Sequence, residues 1–223
     1  MPMLNKGTLI ISLKLFIITA IAALCLAVIN KITTPIIDKN NSILEKESQQ
    51  EVLPEAFEFM ASETPSLDRE GITVDQFNVG LDKDGNISGY VVTVTSNAGY
   101  GGNIKVMVGI DQDLKVKRVK IMESSETAGL GANASKPKFI DQFVGADSEL
   151  SVVKGEAKEN EISAIASATV TSKAVTSCVN AALDAANEKS KSSEVEETAK
   201  KLEEIKQETE MQMHDEEGGA EEE

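Results

Sequence analysis

The sequence is short of several residue types, and each shortage narrows what the protein can do. Tryptophan is absent and aromatic residues make up only 4% of the 223 residues, so stacking platforms for nucleic-acid bases are scarce. Basic residues number 22 against 37 acidic ones, a formal net charge of −15, which argues against nucleic acid as a partner. Two cysteines, Cys25 and Cys178, sit far apart in unrelated contexts, and the single histidine, His214, lies in an acidic tail. With no CxxC and no Cys/His cluster, a protein-ligated zinc or iron–sulfur site is not expected. A glycine-rich dinucleotide fingerprint is missing as well. Any redox chemistry must come from an organic cofactor.

What is present begins with a long apolar run from Leu9 to Ile29, broken only by Lys14 and small hydroxyl residues. Its length fits a transmembrane helix over residues 9–30 after a short segment 1–8, with Lys14 near enough to one end to snorkel. Ala20 and Ala22 offer a small-x-small exit for a cleaved signal, but apolar sequence continues well past them, so an uncleaved anchor in the lipid bilayer is the expectation. Leu24 is a poor neighbour for a lipoprotein anchor at Cys25. Lys6 and Lys14 before the span nearly balance Lys31 and Lys39 after it. The slight lean places the N-terminus inside and the acidic domain on the extracytoplasmic side of the cell membrane. Residues 31–68 are polar and helix-prone and read as a stalk helix region, in which Pro54 ends or kinks the helix.

From Phe77 the pattern changes. Phe77 to Leu81, Ile87 to Thr95, Ile104 to Ile110 and Val116 to Met122 are rich in Val, Ile and Thr and predict strands of an antiparallel meander. Asp82 to Asn86 resembles a calcium loop but lacks the later glutamate, and reads as a hairpin turn. Gly99-Tyr100-Gly101-Gly102 is richer in glycine than a turn requires; it is a loop on the plain reading, and one that permits close ligand approach on the other. Lys136 to Phe143 reads as a short helix with Phe139 and Phe143 on one face, and Val152 to Lys154 as a further strand. Val175, Val179, Ala182, Leu183 and Ala186 recur at helical spacing and predict an amphipathic helix over 173–187, with Cys178 a buried structural thiol. The fold class is α+β, with one domain over 69–187. Residues 188–223 form a charged, acidic tail expected to be disordered.

Two stretches stand out as candidate sites. In Glu126 to Ala132, two glycines flank Leu130, so the backbone can fold tightly while the leucine projects onto something flat or apolar. Ile165-Ala166-Ser167-Ala168-Thr169-Val170-Thr171-Ser172 is small and hydroxyl-rich and runs into the helix at Lys173. It reads either as an N-cap with surplus hydroxyls or as a phosphate site with one hydroxyl esterified.

Together these residues resemble the FMN-binding domain of the G subunit of Rnf-type electron transport complexes, a domain shared with the C subunit of sodium-pumping NADH:quinone reductases. The resemblance takes in the N-terminal span, the strands, the Glu126 to Gly131 loop and a flavinylation motif before a helix. In the family that motif reads Asp-x-x-Ser-Gly-Ala-Thr, often followed by x-Thr-Ser, and its Ala-Thr falls on Ala168-Thr169. Here Ser163 replaces the aspartate, Ala166-Ser167 replaces Ser-Gly, and Ala128 replaces a proline in the other loop. The resemblance implies covalent FMN on Thr169 through a phosphoester, with Thr171 as a fallback acceptor. It further implies cofactor contacts from Thr127, Gly129, Leu130, Gly131, Ala168, Val170, Thr171 and Ser172. A flavin transferase would be needed for maturation, and the other subunits of a membrane electron transport complex would be the partners. The implied role is that of an electron carrier coupling ferredoxin:NAD electron transfer to ion translocation. The alternatives are the quinone-reductase subunit and a sensor or binding module without flavin.

Overall fold

A computed structural model describes residues 6–191. The acidic end from 192 to 223, including His214, lies outside the described residues, as do residues 1–5. The chain divides into two units, the first ending at Glu47 and the second beginning at Ser48.

The first unit is helical. Helix α1 spans Lys6–Val52, and its most apolar part, Ser12–Thr34, has a mean hydropathy of 2.5 and is not covered by other protein. Leu13, Phe16, Leu24 and Leu26 are all exposed, and the stretch is long and apolar enough to cross a membrane. The helix continues past Pro35 and ends at Val52, two residues before Pro54, whose ring cannot continue it.

The second unit is built on a five-stranded antiparallel sheet, in the order β1 (Glu58–Ser62), β2 (Ile72–Leu81), β3 (Ile87–Ser96), β4 (Ile104–Asp111) and β5 (Val116–Ser124). The meander expected from the sequence is present, lengthened by β1 and by the front half of β2. Strand β1 corrects the assignment of residues 31–68 to a stalk, because its Met60 pairs with Val79 in the sheet. Its five residues, EFMAS, carry too little alternation to announce a strand. The turn between β2 and β3 is the expected hairpin: Asp82 accepts from the amides of Asp84 and Asn86 at 2.8 Å each, and Gly85 takes φ +88°. Those amide donors, that of Asn86 foremost, hold the Asp82 carboxyl below its usual range.

One face of the sheet packs against helix α3, Thr169–Ser190. The helix presents Ala174, Val175, Cys178, Val179, Ala182 and Ala186, all at most 1% exposed, to Phe77, Val92, Val94, Val106 and Val108. So many alanines let the helix backbone lie close to the strands. The expected helix over 173–187 is therefore longer at both ends. Ahead of it, helix α2 (Pro137–Ile140) and a 3-10 turn at Asp141–Phe143 take the place of one helix over 136–143. Phe139 and Phe143 are buried as anticipated, edge to face with centroids 5.4 Å apart. A parallel pair, β6 (Ser151–Val153) and β7 (Glu161–Ser163), brings the chain back to α3. Buried Asn180 fastens this region by bonding both the amide and the carbonyl of Leu150, at 3.0 and 2.9 Å.

The opposite face of the sheet is covered by the segment that follows Ser48. Val52, Leu53 and Ala56 pack on Val91 and Met107. Here glycines are required: a Cβ on Gly109 would lie 2.1 Å from the Val52 carbonyl oxygen, and one on Gly80 2.6 Å from Leu53.

Candidate functional site

Helix α3 begins at Thr169, four residues before the expected start at Lys173, so the hydroxyl-rich stretch ends inside the first helical turn. The N-cap is Ala168, with no side chain capping the helix and no acidic residue in its first turn. The N-cap-with-hydroxyls reading is thus corrected. The first intrahelical amide is that of Ser172, bonded to the Ala168 carbonyl at 3.0 Å, which leaves the amides of Thr169, Val170 and Thr171 without helical partners. Ser167, immediately before the cap, takes φ +60°, a left-handed conformation that suits glycine. In the family motif that position is the glycine.

The hydroxyls at the helix start have different fates. Ser172 is fully buried, donating to the Ala168 carbonyl at 2.9 Å and accepting from the Ile165 amide at 3.0 Å. Thr171 is 1% exposed and donates to the Glu126 carboxylate at 3.0 Å. Thr169 is half-buried, and no hydrogen bond engages its hydroxyl among the described residues.

Thr169 opens onto a cleft of about 400 Å³ lined by Thr127, Leu130, Gly131, Ala168, Val170 and Thr171, together with Tyr100, Glu126 and Ser167. Two stretches far apart in the chain therefore meet at one cleft. Of the expected contacts, Gly129 and Ser172 are not in the wall. Gly129 turns the loop at φ +80°, its carbonyl accepting from Asn133 at 2.8 Å, and Ser172 braces the helix start from behind. Tyr100, Leu130 and Val170 are large apolar side chains left exposed around the cleft, at 77%, 43% and 49%. Tyr100, Glu126 and Ser167 line the cleft without having been among the implied cofactor contacts, although each lies in a stretch that the sequence singled out. The signal for Tyr100 was the excess of glycine around it: a Cβ on Gly101 would lie 2.2 Å from the Ser125 carbonyl oxygen, so the loop must approach the Glu126 loop closely.

The comparisons with known proteins follow the same outline. The FMN-binding domain family matches residues 99–184, which includes both walls of the cleft. The G subunit of the Na(+)-translocating ferredoxin:NAD(+) oxidoreductase complex of Acetobacterium woodii is 41% identical over 186 residues, 76% of this chain and 87% of that protein. The chain belongs to the G-subunit family of ion-translocating oxidoreductase complexes. Another member, from Methanosarcina acetivorans, is 33% identical over 75% of this chain and 88% of its own length. Among solved structures, the C subunit of the Na(+)-translocating NADH-quinone reductase of Parabacteroides distasonis is 24% identical, with a TM-score of 0.44 over 58% of this chain and 74% of that one.

The residues of the cleft fit FMN. An uncapped helix start with free amides and a positive dipole end suits a phosphate. The volume and the exposed Tyr100, Leu130 and Val170 suit a flat, largely apolar ring.

Proposed function

We propose that this chain is a membrane-anchored electron carrier with FMN held covalently by a phosphoester to Thr169. It works within a complex coupling ferredoxin:NAD electron transfer to ion translocation. The observation that carries the reading is the meeting of an uncapped helix start, an uncommitted Thr169 hydroxyl and an apolar-rimmed cleft at one place. FMN supplies reversible one- and two-electron chemistry. The chain supplies attachment, orientation and surroundings. Thr169 offers the hydroxyl for the ester, and the side chain of its neighbour Ala168 is small enough not to obstruct it. The amides at the start of α3 favour the phosphate charge, and Leu130, Tyr100 and Val170 shield the ring from water. No acid or base is required of the protein, because electron transfer depends on cofactor distance and potential. The domain lies on the extracytoplasmic side of the bilayer, where a tethered flavin cannot be lost. Its partners are the other subunits of the complex and, during maturation, a flavin transferase.

The test is direct. The full chain, produced together with a flavin transferase and denatured on a gel, fluoresces under ultraviolet light, and Thr169→Val abolishes the band. A dark wild-type band under those conditions overturns the proposal. A bright Thr169→Val band overturns the assignment of the attachment site.

A further inference from the structure

Glu126 reaches both walls of the cleft. One carboxylate oxygen accepts from the Gly101 amide, on the loop between β3 and β4, at 3.2 Å. The other accepts from the buried Thr171 hydroxyl, on α3, at 3.0 Å. The backbone is shaped around this carboxylate: a Cβ on Gly131 would stand 2.3 Å from Glu126 Oε2 and 2.7 Å from Thr171 Oγ1. Among the described residues no lysine or arginine pairs with Glu126, so its partners are neutral donors that leave its charge in place. Thr171 lines the cleft, and its hydroxyl is engaged by Glu126.

We propose that Glu126 is a positioning residue that ties the Gly99–Gly102 loop to α3 and sets a fixed negative charge beside the flavin ring. The inference rests on the function proposed above. A ring seated in this cleft lies against the Glu126 wall, and an uncompensated carboxylate there opposes the arrival of each electron. Half-burial limits the screening that would remove the effect at an open surface. The carboxylate thereby lowers the flavin potential, while its two hydrogen bonds hold the cleft at a fixed width.

Both parts are tested on the full chain in detergent, made with its flavin transferase. Glu126→Gln keeps the size of the side chain and removes the charge; its amide oxygen can still accept from the Gly101 amide, while its NH2 donates to the Thr171 hydroxyl oxygen in place of the bond accepted there. The midpoint potential of the flavin it carries, read from visible absorbance of the flavinylated fraction, should rise. Glu126→Ala removes the tie as well, and amide hydrogen exchange over residues 99–102 should quicken in this variant but not in Glu126→Gln. A Glu126→Gln chain whose bound flavin has an unmoved or lower potential, or that carries no flavin when the wild type does, overturns the electrostatic role. Unchanged exchange in Glu126→Ala overturns the positioning role. A wild-type chain without flavin is a different failure: it overturns the proposed function, and this inference falls with it.

Discussion

Ser167 holds the left-handed conformation that turns the chain from β7 toward α3, and a residue with a Cβ resists it by about 1–2 kcal/mol. Glycine removes that penalty and returns part of it as extra freedom in the unfolded chain. Ser167→Gly is therefore expected to raise stability by about 0.5–1 kcal/mol, seen as a higher denaturation midpoint. Cys178 makes a second prediction at this scale. Burial between α3 and the sheet, with the Asp75 charge adding to it, pushes the thiol from its ordinary 9.0 up to about 12. Below 9.0 the thiol is protonated in both folded and unfolded chains and stability is fully present. Between 9.0 and about 12 the unfolded thiol ionises while the folded one does not. Stability should fall across that window by at most about 1.4 kcal/mol per pH unit from this group, and Cys178→Ala should flatten the decline. Denaturant titrations of both chains at several pH values measure it.

Among the elements, the sheet shows how the two faces differ. The α3 face is smooth and apolar and receives a helix rich in alanine. The other face is pitted by Gly80, Gly89 and Gly109, and into those pits fit Leu53 and the Val52 carbonyl. Gly109→Ala forces that backbone outward, because the clash is with a carbonyl oxygen that cannot rotate away. The expected loss is about 1–3 kcal/mol, measurable by thermal denaturation. Periodicity disclosed the α3 face and the central strands, since Val175, Val179 and Ala182 repeat at helical spacing and β3 and β4 are rich in branched side chains. It missed β1 and the start of α3. The reason is the same in both places. Strand β1 is held by its neighbour β2, and Thr169 to Ser172 have modest helix propensity but are fixed by the buried bonds of Thr171 and Ser172.

For the molecule as a whole, the folded unit begins at Ser48, well inside the stretch that composition assigns to a stalk. A fragment of residues 48–191 should fold cooperatively in water. A fragment of residues 58–191 leaves Val91 and Met107 uncovered and gives up the burial of Val52 and Leu53, a loss of about 5 kcal/mol or more. That is comparable with the whole stability of a domain of this size. It should bind a hydrophobic dye and aggregate, whereas the longer fragment does neither; dye fluorescence and light scattering on the two fragments measure the difference.

Local features of the chain were enough to establish the apolar span, the antiparallel meander and the core stripe of α3, and the resemblance pointed to Thr169 and the Glu126 to Gly131 loop as candidate site residues. These are legible because they rest on runs, repeats and short motifs, each contained within a few turns or strands. It took three-dimensional packing to show that the Thr169 hydroxyl at the helix start is uncommitted while Thr171 and Ser172 are buried and bonded. Packing also brought Tyr100 and Glu126 into the cleft and removed Gly129 and Ser172 from its wall. Which hydroxyl is open and which loop supplies a wall depend on contacts between residues far apart in the chain. Such contacts leave no periodicity to read.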